Sequence, residues 1–240
     1  MTLDVRLFPC LSDNYGFLVR DEATGRVATV DSPDADAIIA ALEQTGWGRL
    51  DLILNTHWHP DHTQGNERLK AEFGCEIVGP EEVKRAAPLD RVVADGDQVT
   101  LGSTVFEVAH APGHTLGHIT YHAPEAKLAF VGDVIFALGC GRLFEGSPEQ
   151  MFDSLKAIGQ WEAGTTLYCA HEYTESNARF ALSVDDRPEM KAHAEAIFAA
   201  RARGEPTVPT TVGTELEFNP FLRAADAEQF AARRRAKDSF

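Results

Sequence analysis

Four short apolar runs in this chain each end in a histidine or an aspartate. "LDLILNT" leads to His57, "TVFEVAHAPG" to His114, "KLAFVG" to Asp133 and "TTLYCA" to His171. Runs of this length, bounded by Gly, Pro and Asn, read as buried strands. In a layered α/β fold, strand ends on one edge converge, and ligand sites collect there. The first run is the richest, because "THWHPDH" adds His59, Asp61 and His62 to His57. The pattern predicts a fold that gathers seven donors, five imidazoles and two carboxylates, at one strand edge.

The segments between these runs support a mixed α/β domain. "YGFLVRD" and "RVATVDSP" are strand-like on either side of the turn-like "EATG", and "DADAIIAALEQTGW" has helical apolar spacing. "GNERLKAEFG" reads as a helix ending at Gly74, "EIVGP" as a strand, and "DGDQVTLGSTVFEVAH" as strands joined at Gly102. "SPEQMFDSLKAIGQW" carries helix-start chemistry: Ser147 as N-cap, Pro148 at the first helical position and Gln150 to complete a capping box. Met151, Phe152, Leu155 and Ile158 then form one apolar face. From about Tyr173 the pattern becomes helical, with a Pro-rich connector "EPTVPTTVG" and no strand expected. The division that follows is an α/β domain over residues 1–172 and a small helical domain over residues 173–240.

Charge and composition exclude some partners. A formal net charge of −15 repels phosphate backbones, so nucleic acid is not an expected partner. The local exception is the basic stretch "ARRRAK", Ala232 to Lys237. No apolar run approaches membrane-spanning length, and the N-terminal residues lack the basic-then-apolar pattern of a signal peptide. Cys10, Cys75, Cys140 and Cys169 are scattered without a CxxC pair, which suits reduced thiols in a cytoplasmic compartment rather than a Cys-based metal site.

A lone HxH motif is weak, because histidine-rich surface loops are common. Three further strand ends with donors change the balance. One zinc takes three or four protein ligands, so seven donors with one shared carboxylate match two metals. Imidazole with carboxylate suits Zn, Fe or Mn. His110, His122 and His193 have no partner pattern and read as structural or exposed. His118 follows His114 by four residues but has no carboxylate nearby, which favours a packing or supporting role over ligation.

"THWHPDH" with "GHTLGH", "FVGD" and "AHEYT" resembles the metallo-β-lactamase superfamily, as do "SDNYGFLV" and "VDSPD". The resemblance implies an α/β fold, an αββα four-layer sandwich with metals at one edge. It also implies that Asp31 supports the site from behind the ligands. "GCGRLFEG", "HEYTESNARFA", "NPFLR" and "RRRAKDSF" narrow the resemblance to the glyoxalase II, or hydroxyacylglutathione hydrolase, family.

That family resemblance implies that His57, His59 and His114 hold one divalent metal and Asp61, His62 and His171 the other, with Asp133 bridging. The two metals are expected to be zinc, with iron or manganese as alternatives. Asp61 and Asp133 would also orient the hydroxide that attacks the thioester. The implied reaction is hydrolysis of S-D-lactoylglutathione to D-lactate and glutathione, the second step of methylglyoxal detoxification. Arg142, Phe144, Tyr173, Arg234 and Lys237 would bind substrate. Two of these depart from the family: Arg142 stands where Lys is frequent, and Phe144 where Tyr is frequent. A small-molecule substrate, a monomer and a cytoplasmic location complete the expectation. The rival readings are a persulfide dioxygenase with a single iron and a non-catalytic metal-binding protein.

Overall fold

A computed structural model describes residues 2–240. Contacts divide the chain into two compact units: Met1–His110 with Gly117–Gly132, and Ala111–Leu116 with Asp133–Phe240.

The first unit is built on two sheets. One has the order β1 (Leu3–Cys10), β2 (Asn14–Asp21), β3 (Val27–Val30), β4 (Leu52–Leu54), β5 (Glu76–Gly79) and β6 (Arg91–Val92). The β1–β2 and β2–β3 pairs are antiparallel, and from β3 to β6 the strands run parallel. Parallel neighbours need crossovers, supplied here by α1 (Ala35–Thr45) and α3 (Asn66–Phe73). Asp34 caps α1 by accepting from the Asp36 and Ala37 amides, and Gly46 and Gly74 end the two helices in left-handed conformations. Ile38 and Leu42 of α1 and Leu69 of α3 pack with Leu18, Val27, Ile53 and Ile77 of the sheet into one core.

The second set of strands in this unit is antiparallel: β7 (Gln98–Leu101), β8 (Thr104–His110), β9 (Ile119–Ala123) and β10 (Leu128–Gly132). Phe130 of β10 lies 5.7 Å from Phe17 of β2, and the Tyr121 hydroxyl of β9 donates to the Asn55 carbonyl. These contacts pack the two sheets face to face around buried apolar side chains such as Phe17, Phe106 and Phe130.

The second unit holds two short pairs, β11 (Ile135–Phe136) with β12 (Gly139–Cys140) and β13 (Thr166–Cys169) with β14 (Thr210–Thr211). Its helices are α4 (Pro148–Ile158), α5 (Thr174–Val184), α6 (Pro188–Ala202), α7 (Val212–Phe218) and α8 (Ala227–Asp238). The helix start expected at Ser147 forms as a full capping box with Gln150. One expectation is corrected: the stretch after Tyr173 contains a strand, β14. Thr210 and Thr211 sit within the Pro-rich connector, and Thr211 then caps α7 by accepting from the Thr214 amide. A segment that closes a strand pair and starts a helix within three residues shows neither periodicity.

Candidate metal centre

Each of the four donor-bearing runs is a strand, and each donor lies at or beyond its carboxyl end: His57 after β4, His114 after β8, Asp133 after β10 and His171 after β13. A short helix, α2 (Pro60–Thr63), carries Asp61 and His62.

In the first unit, Asp31 organises the cluster. Its φ of 55° lies in the left-handed region, which is uncommon for a residue other than glycine and is held by surrounding bonds. Asp31 Oδ1 accepts from the Thr56 amide at 2.7 Å. Its Oδ2 accepts from the Thr56 hydroxyl at 2.8 Å and pairs with His62 Nδ1 at 2.8 Å. The Thr56 hydroxyl has given its proton to Asp31, so His57 Nδ1, 3.1 Å away, must be the donor to Thr56. Both His57 and His62 therefore carry the proton on Nδ1 and present an Nε2 lone pair. This is the tautomer that metal ligands need, set by hydrogen bonds behind them.

The four residues lie close together. His57 Nε2 is 3.0 Å from His59 Nδ1, the His57 and His62 rings are 4.0 Å apart, and His62 Nε2 is 3.6 Å from Asp61 Oδ2. His57 and His62 are buried. His118 is buried as well and stacks on His57 at 4.7 Å, which agrees with a packing role. Gly132 keeps this contact possible, because a Cβ there would lie 2.7 Å from His118 Nε2 and 2.6 Å from Thr56 Oγ1.

The second unit centres on Asp133. Its Oδ2 lies 3.3 Å from His114 Nε2 and 3.4 Å from His171 Nε2. His114 Nδ1 donates to the Arg142 carbonyl at 2.9 Å, so His114 also turns a lone pair towards the carboxylate. Gly141 makes room, since a Cβ there would meet the Asp133 carbonyl at 2.1 Å. Each cluster gathers imidazole nitrogens and a carboxylate oxygen at short range, and imidazole with carboxylate is the donor chemistry of divalent transition metals. The residues fit such ions.

The expected substrate residues all belong to this unit. Tyr173 stacks on His171 at 4.7 Å with rings nearly parallel, and Phe136 stands edge-on to both. Phe144 is 63% exposed and edge-on to His114. The Arg142 side chain is exposed. Arg234 is buried: its guanidinium donates to the Cys140 carbonyl at 2.9 Å and to Asp238 Oδ1 at 2.8 Å, and lies over the Phe221 ring. Lys237 donates to the Ser176 carbonyl and hydroxyl. Partial burial, with Arg234 and Arg142 nearby, holds its ammonium below the ordinary lysine range. An added anion would favour the charged form of Lys237.

Sequence reasoning missed three contributors: Thr56, which relays Asp31 to His57; Phe136, which braces His171 and Tyr173; and Asn14, which donates to Asp61. Thr56 and Asn14 both lay in quoted motifs, "THWHPDH" and "SDNYGFLV", and nothing in either discloses a partner 25 or 47 positions away.

Comparison with known proteins places these features. Residues 28–171 match the family model of the metallo-β-lactamase superfamily, and residues 172–240 match that of the hydroxyacylglutathione hydrolase C-terminus. A hydroxyacylglutathione hydrolase of Maricaulis maris is 48% identical, over 98% of this chain and 98% of its own length. Among solved structures, ETHE1 from Myxococcus xanthus matches with a TM-score of 0.75 and 25% identity, over 97% of this chain and 90% of its own. The BLEG-1 B3 metallo-β-lactamase matches with a TM-score of 0.71 and 20% identity, over 92% of this chain and 100% of its own. The fold is the metallo-β-lactamase αββα sandwich with a C-terminal helical region.

Proposed function

This chain belongs to the metallo-β-lactamase superfamily and, within it, to the hydroxyacylglutathione hydrolases, and from that membership we infer that it hydrolyses the thioester bond of hydroxyacylglutathiones. The substrate proposed is S-D-lactoylglutathione, giving D-lactate and glutathione as the second step of methylglyoxal detoxification. The centre proposed is binuclear: His57, His59 and His114, three imidazoles, at one divalent ion, and Asp61, His62 and His171, one carboxylate and two imidazoles, at the other, with Asp133 as the proposed bridge. Zinc is the first choice, with iron or manganese as alternatives.

One observation carries the reading. The unit that holds His114, Asp133 and His171 also holds the aromatic and cationic residues proposed for substrate, and Tyr173 and Phe144 lie directly against the ligand rings. A substrate gripped by these groups has its reacting bond beside the donors. Residues 173–240 are proposed as the substrate-binding region, with Arg142, Arg234 and Lys237 supplying positive charge for a glutathione carboxylate.

Divalent cations at the centre would supply Lewis acidity and bring the pKa of water from 15.7 towards roughly 7. Asp61 and Asp133 accept hydrogen bonds from the attacking water and set its direction. The thiol that departs has a pKa of about 8.5, so no side chain need protonate it. A persulfide dioxygenase is not favoured, because the C-terminal 69 residues match the hydrolase model. Among the described residues no helix is long and apolar enough to cross a membrane; a cytoplasmic monomer is proposed.

The test is loss of thioester absorbance from S-D-lactoylglutathione by chain of measured metal content. No loss with two metals bound rejects the substrate. A second prediction concerns the departure at Phe144. The exposed ring has no hydroxyl, so Phe144→Tyr is expected to lower KM for the glutathione thioester about threefold to tenfold, the net worth of one hydrogen bond. An unchanged KM would show that this position does not contact the glutathione moiety.

A further inference from the structure

We propose that Asn14 is a positioning residue that locks Asp61 in its ligating orientation. The inference rests on the two-metal reading above. Asn14 begins β2, opposite Cys10 in the β1–β2 register, and is buried. Its Nδ2 lies 3.1 Å from Asp61 Oδ2 and 3.4 Å from the Asp61 backbone carbonyl. Both partners are acceptors, so the amide can only present its NH2 group to them. The two protons of one nitrogen thus tie the carboxylate to its own main chain, which fixes the side-chain torsions of Asp61.

Asp61 needs such a clamp more than its neighbours do. The Asp61 side chain is 40% exposed, against 1% for His62. His57 and His62 are oriented by packing and by the Thr56–Asp31 relay. Asp61 stands part-exposed on the first turn of a four-residue helix, where a hydrogen bond from a buried donor selects one rotamer among the staggered ones. A neutral donor is the suitable choice: it orients the carboxylate and leaves the negative charge for the cation, where a lysine or arginine would compete for it. Asn14 itself is held by the hairpin, with Cys10 Sγ 3.7 Å from the Asn14 carbonyl.

The experiment is zinc titration of the full-length metal-free chain, with Asn14→Ala and Asn14→Asp beside the wild type. Asn14→Asp keeps the size of the side chain and replaces the donor by an acceptor, so it decides the matter if Asn14→Ala does not fold. Outer hydrogen bonds to metal ligands are worth about 10–100-fold in affinity. In both variants one zinc-binding step is expected to weaken by that factor. The other step should keep its wild-type affinity. Two zinc steps as tight as in the wild type would overturn the inference. So would equal weakening of both steps together with a lower melting temperature, which marks a general structural role. A wild-type chain that takes up one zinc overturns the two-metal reading itself, and this inference with it.

Discussion

Replacing Asp133 by alanine is expected to remove metal and activity together. Asp133 Oδ2 lies 3.3 Å from His114 Nε2 and 3.4 Å from His171 Nε2, so one oxygen is the meeting point of the second unit's donors. Without it His114 and His171 lose their shared carboxylate, and a charge that would balance a cation is gone. Metal content should fall from the proposed two ions per chain to one or none. A hydrogen bond behind a ligand already costs about 10–100-fold, so loss of a proposed bridging ligand should lower kcat/KM by more than about 100-fold. The paired measurement is metal content by elemental analysis and thioester hydrolysis on the same sample. A variant that keeps two metals and full turnover would remove Asp133 from the centre. Gly141 should tolerate the change, because its close contact is with the Asp133 carbonyl and not the carboxylate.

The donors were legible because they sit where a simple pattern breaks. An apolar run followed by a coordinating residue is visible without knowing any pairing, and β4, β8, β10 and β13 all arose from such runs. The strand β1 was not legible. It lies at the edge of its sheet and is mostly half-buried, so "LDVRLFPC" mixes charged and apolar residues with no clean face. β9 is the opposite case: it is buried along its whole length, but "ITYHA" puts Thr120 and His122 in the interior, and polar residues there hide the strand. Arg234 shows a limit of another kind. "RRRAK" reads as one basic stretch offering Arg234 and Lys237 to substrate, whereas Arg234 is buried between the Cys140 carbonyl and the Phe221 ring. Only tertiary packing separates one arginine of a run from its neighbours. The Asp31–Thr56–His57 relay is hidden for the same reason, since 25 residues separate its first two members.

The second large effect is expected at Glu215, a residue that no motif singled out. It is buried in the second unit, and desolvation pushes its carboxyl up to about 7 from an ordinary 4.5. Hydrogen bonds from Thr210 Oγ1, Asn219 Nδ2 and the Leu138 amide act in the opposite direction and do not overcome burial. Between these two pH values the folded chain holds a proton that the unfolded chain has released. Stability from this group is therefore fully present below about pH 4.5 and is lost as pH rises through about 7. The gap is worth on the order of 3 kcal/mol. Cys169, whose buried thiol is pushed up to about 12, stays neutral over this range and does not blur the effect. Glu215→Gln keeps a carbonyl oxygen for Asn219 and Leu138 and an N–H for Thr210, but cannot titrate. Chemical denaturation of both chains from pH 5 to 8 should show the variant gaining on the wild type by that amount, with other titrations cancelling in the difference. Parallel curves would mean that Glu215 titrates as an ordinary carboxylate. The consequence reaches the site, because Leu138 and the Asn219 contacts to the Phe136 and Gly139 carbonyls hold the β11–β12 hairpin. Phe136 of that hairpin stands against His171 and Tyr173, so Glu215 supports through the hairpin a proposed metal ligand and a proposed substrate residue.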